Sequence, residues 1–274
     1  MDLPERDLDA DGTLNIFDTH MKRPSATSAG YFHTCTVLDD LSLVCWGYNY
    51  HGELGDGTTT DSSTPVAVIL PSGRTASSVS AGDYHHTCAV LDDGSAYCWG
   101  YNNYGQLGDG TTTNSNTPVA VSLPSGRTAV SVSAGRWYTC AMLDDASVYC
   151  WGENGHGVLG SGSSSAYSYT PAAVSLPSGR TASSLSAGNS HSCAVLDDAS
   201  LYCWGQNTYG QLGDGTVTDR STPVAVSLPS GRTAASVAAG GTHTCAVLDD
   251  ASLYCWGENT YGELGDGTTT NSNT

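Results

Sequence analysis

The ten cysteines of this chain occur as regularly spaced pairs, which could form disulfide bonds or bind zinc. Cys88 and Cys98 lie symmetrically about Asp93, the centre of a predicted hairpin, so they should face each other across two antiparallel strands. Zinc is the alternative, although the chain has no Cys-x-x-Cys motif, and reduced core cysteines are another. We expect structural disulfides that pair Cys35 with Cys45, Cys88 with Cys98, Cys140 with Cys150, Cys193 with Cys203 and Cys245 with Cys255.

The acidic N-terminal segment contains a candidate calcium loop. It runs from Asp7 to Asp18, carries oxygen ligands at the alternating positions that calcium requires, and has Gly12 at the sharp turn. Asp at the last position, in place of Glu, resembles dockerin-type and other extracellular calcium loops. We therefore expect calcium as a weakly bound cofactor, and an acidic linker is the alternative. The predicted ligands are Asp7, Asp9, Asp11, Thr13 (through its carbonyl), Asn15 and Asp18.

Two recurrent features are candidates for contact with a partner. Paired aspartates lie at the predicted hairpin tips, where they could form an acidic ring or could simply stabilise turns. Aromatic residues occupy predicted loops, where they are common binding anchors. The residues that we predict to contact a partner are Asp92, Asp93, Tyr104, Trp137 and Tyr209.

Several other patterns argue against catalysis. Four of the cysteine pairs have a histidine two positions before the first cysteine, at His33, His86, His191 and His243. We expect these histidines to be hydrogen-bonded structural residues, because one per copy is too sparse for a metal site. The Gly-Asp-Gly-Thr segments lack the lysine and the following helix of a phosphate loop. No catalytic triad or carboxylate pair stands out from the copies, so the sequence predicts a protein that is not an enzyme.

These residues recur because the chain contains five copies of a repeat of 52–53 residues. Each copy predicts four short strands with glycine and tryptophan at fixed places, which is typical of propeller blades. The sequence therefore predicts an all-β protein, a β-propeller of four-stranded blades. The copies cover about residues 23–75, 76–128, 129–181, 182–233 and 234–274, and residues 1–22 form a separate acidic segment.

The repeat resembles that of the regulator of chromosome condensation family. The resemblance rests on the segments Gly100–Gly110, Thr117–Val119 and Ser133–Gly135 and on their counterparts in the other copies. It implies a propeller that usually has seven blades. Because the fifth copy stops within a blade, we expect a fragment of such a propeller. A five-bladed ring closed by the segment Arg23–Gly30 is the alternative.

Composition limits the choice of partners and of compartment. The net charge is −18 and Lys22 is the only lysine, which disfavours nucleic acids and anionic membranes and favours cationic partners or divalent metals. No apolar run is long enough to span a membrane. The cysteine pairs predict an oxidising compartment and hence an extracellular or cell-surface location, although no signal peptide is visible.

Three functional hypotheses follow. The first is a monomeric, non-enzymatic scaffold that binds a still unknown protein through its loops. The second is guanine-nucleotide exchange on a small GTPase, which the family resemblance implies but which the acidity and the cysteine pairs disfavour. The third is an enzyme inhibitor or a lyase-like enzyme on the same scaffold, since a related propeller inhibits β-lactamases.

Overall fold

The computed structural model of the chain describes residues 23–274, and the calcium loop predicted for residues 7–18 lies outside them. The described residues form nineteen strands in five antiparallel sheets, each built from consecutive strands. Among them there is no helix with the length and hydrophobicity that crossing a membrane requires. The all-β architecture of propeller blades predicted from the repeat is therefore confirmed.

Each sheet is one blade, and its strands follow chain order. Blade 1 contains β1 (Pro24–Ala29), β2 (His33–Leu38), β3 (Leu43–Gly47) and β4 (Ser62–Ala67). Blade 2 contains β5 (Ala76–Ala81), β6 (His86–Leu91), β7 (Ala96–Gly100) and β8 (Ser115–Ala120). Blade 3 contains β9 (Ala129–Ala134), β10 (Tyr138–Leu143), β11 (Val148–Glu153) and β12 (Tyr167–Ala173). Blade 4 contains β13 (Ala182–Ala187), β14 (His191–Leu196), β15 (Leu201–Gly205) and β16 (Arg220–Ala225). Blade 5 contains β17 (Ala234–Ala239), β18 (His243–Leu248) and β19 (Leu253–Gly257).

The blades pack face to face in chain order, and the hydrophobic core lies between them. The first strands of successive blades contact one another, and each also contacts the second strand of the preceding blade. The cluster between blades 1 and 2, for example, joins Val37 and Leu54 to Leu91 and Trp99. Strands covered on both faces need apolar side chains at successive positions, which explains the wholly buried pattern of β6.

Two features of the chain ends bear on the sequence predictions. β1 pairs with β2 and is the first strand of blade 1, so the segment considered for closing a five-bladed ring belongs to that blade. In blade 5, β19 is followed by an isolated bridge between Gly257 and Ser272.

The fourth strands of blades 1 to 4 each begin three or four residues before their proline. Proline is usually found at the first position of a strand, but β12 begins at Tyr167 and contains Pro171. The register shifts between the β11 residues Cys150 and Gly152, opposite this part of β12. An outer strand with such an irregularity can hold a proline without losing a ladder hydrogen bond.

The cysteines of each hairpin are directly opposed and bonded. Cys88 lies opposite Cys98 in the β6–β7 ladder, with a Cα–Cα distance of 4.0 Å. The other four pairs have the same arrangement at 4.1 Å, and no described cysteine is free. These bonds join strands within a blade, so none of them links one blade covalently to the next.

Two side chains of blade 3 bind blade 2, and one of them also bonds to a histidine of blade 2. Trp151 of blade 3 donates its indole N–H to the main-chain oxygen of Gln106 in blade 2, at 2.9 Å. The Thr139 hydroxyl donates to the same oxygen at 2.9 Å, and Thr139 Oγ1 lies 3.0 Å from Nε2 of His86. Because the hydroxyl proton is used on Gln106, the hydroxyl oxygen accepts from His86. His33, His86 and His191, three of the recurrent histidines, are therefore hydrogen-bonded structural residues.

Candidate functional site

The two ends of the blades present different chemistry. The hairpins between second and third strands and the linkers between blades lie on one face. The loops between first and second strands and between third and fourth strands lie on the opposite face. Asp92 and Asp93 occupy a hairpin tip. Asp93 forms an ion pair with Arg74, with 2.7 Å between Asp93 Oδ2 and Arg74 Nη2. The Ser95 hydroxyl and main-chain N–H also bond to Asp93, and together with Arg74 they lower the pKa of its carboxyl. The predicted acidic residues are thus occupied with turn and arginine contacts.

The opposite face carries a continuous network of aromatic rings across blades 1 to 3. Rings of neighbouring blades are in contact: Tyr84 lies 5.9 Å from Trp137, Trp137 lies 5.4 Å from Tyr104, and Tyr104 stacks on Tyr167 at 5.5 Å between ring centroids. We call this surface the aromatic face. Its members are Tyr31, Phe32, Tyr48, Tyr50, His51, Tyr84, His85, Tyr101, Tyr104, Trp137, Tyr167 and Tyr169.

The structure brings together only some of the residues predicted to bind a partner. Tyr104 and Trp137 are in contact on the aromatic face. Tyr209 lies in the equivalent loop of blade 4 and shares none of the ring contacts described among residues 23–274. Asp92 and Asp93 lie on the other face, at the far end of β6. The aromatic face is therefore the stronger candidate site.

A cation lies within the aromatic face. The Arg136 guanidinium carbon is 4.5 Å from the Tyr84 ring centroid and 4.1 Å from that of Trp137. Burial raises the pKa of the neighbouring carboxyls of Asp83 and Glu153, and the charge of Arg136 acts in the opposite direction. Arg136 Nε is buried without a hydrogen-bond partner. Arginine stacked between a tyrosine and a tryptophan is a combination typical of energetically important interface residues.

A second cluster of polar side chains lies at the edge of the aromatic face, between blades 1 and 2. Glu53 is fully buried, and its Oε1 lies 3.0 Å from Nδ1 of His85, whose side chain is 20% exposed. The Glu53 Oε2 accepts the main-chain N–H of His51 at 2.9 Å. One ligand atom of each residue lies within 4.8 Å of the others. Burial lowers the pKa of His51, which favours its neutral form. Among residues 23–274, this is the one cluster of such side chains that could hold a metal ion.

An insertion places His85 in this cluster. Gly82 and Cys88 are separated by one residue more than Gly135 and Cys140, their counterparts in blade 3. The added residue allows His85 to adopt a φ of 59°, a left-handed conformation that costs energy for a residue with a Cβ. Sequence analysis missed Glu53 and His85, although the longer spacing was visible as a departure from the repeat.

Comparison with known proteins identifies the family. Residues 10–274 match the RCC1-like domain. The chain belongs to this family. This RCC1-like domain is 33% identical over 260 residues to the ultraviolet-B receptor UVR8 of Arabidopsis thaliana, and the match covers 95% of the chain and 59% of the relative. The chain thus spans about three fifths of the length of that curated relative.

Solved structures show the same fold. A crystal structure of human WBSCR16 matches 92% of the chain with a TM-score of 0.83 and 20% identity, and 66% of that chain is covered. The structure of Kap60 bound to yeast RCC1 (Prp20) matches 85% of the chain with a TM-score of 0.74 and 24% identity, and 55% of that chain is covered. At these identities the likeness concerns the fold alone.

Proposed function

We propose that this RCC1-like domain is a non-enzymatic scaffold that binds a protein partner through the aromatic face. The observation that carries the proposal is the ring network around Arg136, because large rings and arginine provide most of the binding energy in protein interfaces. Half-exposed rings on adjacent blades form an extended surface, which suits a protein better than a small molecule enclosed in a cleft.

The five disulfides support an extracellular or cell-surface location as part of this proposal. Disulfides persist in oxidising compartments and are reduced in the cytosol. The net charge of −18 favours a partner with a basic surface. We also propose that calcium binds the loop at residues 7–18 and that the chain acts as a monomer.

The proposal can be tested by affinity capture with matched variants. The chain would be immobilised with intact disulfides, and captured proteins would be compared between the wild type and a Tyr84→Ser/Trp137→Ser variant. A partner that uses the aromatic face should bind at least roughly 30-fold more weakly to this variant, as expected for loss of interface anchors. A Tyr261→Ser variant is the control, because Tyr261 occupies the loop position of Tyr104 in blade 5 and is 89% exposed outside the ring network.

The outcome of this test is clear in both directions. Specific partners that the aromatic variant loses and the Tyr261→Ser variant retains would support the proposal. Partners captured equally by all three proteins, or turnover of a substrate by the purified chain, would contradict it.

Guanine-nucleotide exchange is a second candidate, favoured by membership of the RCC1-like family. It predicts that the chain accelerates release of a fluorescent guanine nucleotide from a small GTPase. Unchanged release rates across a panel of small GTPases would exclude it. The enzyme-inhibitor alternative has no specific contact in its favour among the described residues.

A further inference from the structure

We propose that His51, Glu53 and His85 bind a zinc ion at the edge of the aromatic face. Two imidazoles and one carboxylate form a donor set found in zinc sites, and imidazole also distinguishes zinc from calcium and magnesium. The site joins two blades, because His51 and Glu53 belong to blade 1 and His85 to blade 2.

The distances suit a single ion. Ligand atoms about 2.0–2.2 Å from a tetrahedral zinc ion lie roughly 3.3 Å from one another. His85 Nδ1 and Glu53 Oε1 are already 3.0 Å apart, and the largest separation in the cluster is within 4.8 Å. His51 and His85 are only partly buried, so rotation of their rings can close the remaining distance.

The Glu53 carboxylate is not needed for its turn. In blades 2 and 4 the same position holds Gln106 and Gln211, and each accepts the main-chain N–H two residues earlier through its Oε1 at 3.0 Å. Glu53 makes the equivalent bond with Oε2 alone. Its second oxygen, Oε1, is not used by the turn and faces His85 Nδ1 at 3.0 Å. A carboxylate buried this completely requires a paired charge or a metal.

Neighbouring side chains limit the range of orientations that the two histidines can adopt. The ring of Phe32 stacks on His85 with 5.5 Å between centroids and 9° between planes, and Tyr48 lies 5.1 Å from the same ring. Tyr101 contacts His51 at 4.8 Å. The Glu53 backbone is fixed by two hydrogen bonds to its carbonyl, from Thr87 and Trp99. Rigid supporting contacts of this kind reduce the entropy lost when ligands converge on an ion.

Three protein ligands leave one tetrahedral position open toward solvent. Water can occupy it in the free protein, and a side chain of a partner could replace that water. The zinc site does not depend on the proposed partner binding, and it can be tested with zinc alone.

The test is a zinc titration of the oxidised full-length chain, by calorimetry or against a chromophoric chelator, with excess calcium present to saturate carboxylate sites. The wild type should bind one zinc ion tightly. Glu53→Gln and His85→Asn should each weaken this binding by more than about tenfold, since even supporting residues of metal sites have effects of that size. Cobalt bound in place of zinc should give the intense visible absorption of a tetrahedral site, and both variants should lose it.

His156→Asn is the matched control. His156 holds the position of His51 in blade 3 and pairs with Asp219 at 2.6 Å, as His51 contacts Asn114 of the next blade at 3.4 Å. No third ligand joins that pair among the described residues. Its zinc affinity should equal that of the wild type.

The Glu53→Gln and His85→Asn variants should fold normally, so that a loss of zinc binding reflects the loss of a ligand and not unfolding. Glutamine is the natural residue of this turn in two other blades, and asparagine tolerates the positive φ of His85 better than most residues. Thermal unfolding and near-ultraviolet circular dichroism would confirm that they fold. Absence of a tight site in the wild type, or affinities in both variants equal to that of the wild type, would overturn the proposal.

Discussion

The indole N–H of Trp99 in blade 2 donates a 2.7 Å hydrogen bond to the main-chain oxygen of Glu53 in blade 1. The same oxygen accepts a 2.8 Å bond from the Thr87 hydroxyl. One blade thus fixes the loop of its neighbour that carries the buried carboxylate. Trp151, Trp204 and Trp256 make the same bond to the blade before them.

Replacing Trp99 by phenylalanine should destabilise the protein by about 1–3 kcal/mol, because it removes a buried hydrogen bond and leaves unfilled volume. Guanidinium unfolding followed by fluorescence measures the change. Trp46→Phe is the control, since Trp46 is only partly buried. Equal losses in the two variants would show that the bond between the blades contributes little.

Gly108 should not tolerate a side chain. Its φ is +69°, and an added Cβ would lie 2.6 Å from Trp151 Nε1. We expect Gly108→Ala to cost at least about 3 kcal/mol, since conformational strain and overlap with a buried ring add together.

The matched control for this substitution is Gly126→Ala. Gly126 has a similar φ of +75°, but nothing lies within 4 Å of an added Cβ. Only the conformational cost of about 1–2 kcal/mol should remain. Similar losses of stability in the two variants, measured by chemical unfolding, would contradict the importance of the contact with Trp151.

The buried histidines should make stability depend on pH. His191 Nε2 lies 2.7 Å from Thr244 Oγ1, whose proton is donated to Gln211, so the histidine carries its proton on Nε2 and its buried Nδ1 has no partner. Burial, with a smaller contribution from His243, lowers the pKa of His191 from 6.5 to about 3. Below pH 6.5 the unfolded chain binds a proton that the folded chain does not.

The contribution of His191 is therefore fully present above pH 6.5 and is lost progressively as the pH falls toward about 3, by roughly 1 kcal/mol per pH unit. A His191→Tyr/Thr244→Ser variant should reduce this slope, because blade 3 naturally has Tyr138 bonded to Ser192 in blade 4. Unfolding free energies measured across this range would test it. An unchanged slope would show that the pKa of His191 is the same in the folded and the unfolded protein.

Removing one disulfide should lower stability measurably. Cys88 and Cys98 close a short loop, and the double substitution to alanine should cost about 2–3 kcal/mol through the entropy of the unfolded chain. Comparison of oxidised wild type and variant in guanidinium measures the loss. A midpoint that does not move would indicate that the hairpin needs no covalent bond.

The repeated elements of the fold could be predicted from sequence because every copy contains the same pattern of residues. Strand 2 and strand 3 of each blade follow from the cysteines and the Asp-Asp-x-Ser hairpin, and the structure places them there. The start of β12 could not be predicted in the same way. Local preference puts proline at a strand start, whereas the irregular pairing with β11 tolerates it inside the strand.

The candidate site could be predicted only in part. Tyr104 and Trp137 stood out by residue type, but their contact depends on how neighbouring blades pack. Glu53 and His85 are 32 residues apart and belong to different blades, so no local pattern joins them. Tyr209 has the same sequence setting as Tyr104, yet the third-blade rings that surround Tyr104 have no counterpart beside it.

Near-identical neighbouring copies can misfold, because a strand of one blade could pair with the complementary strand of another blade and form a wrong sheet. Each covalent link here joins residues only ten positions apart. Chain segments this close in sequence come into contact far more often than segments of different copies. Each disulfide, once formed, therefore keeps its two strands paired with each other and disfavours pairing with a strand of another blade.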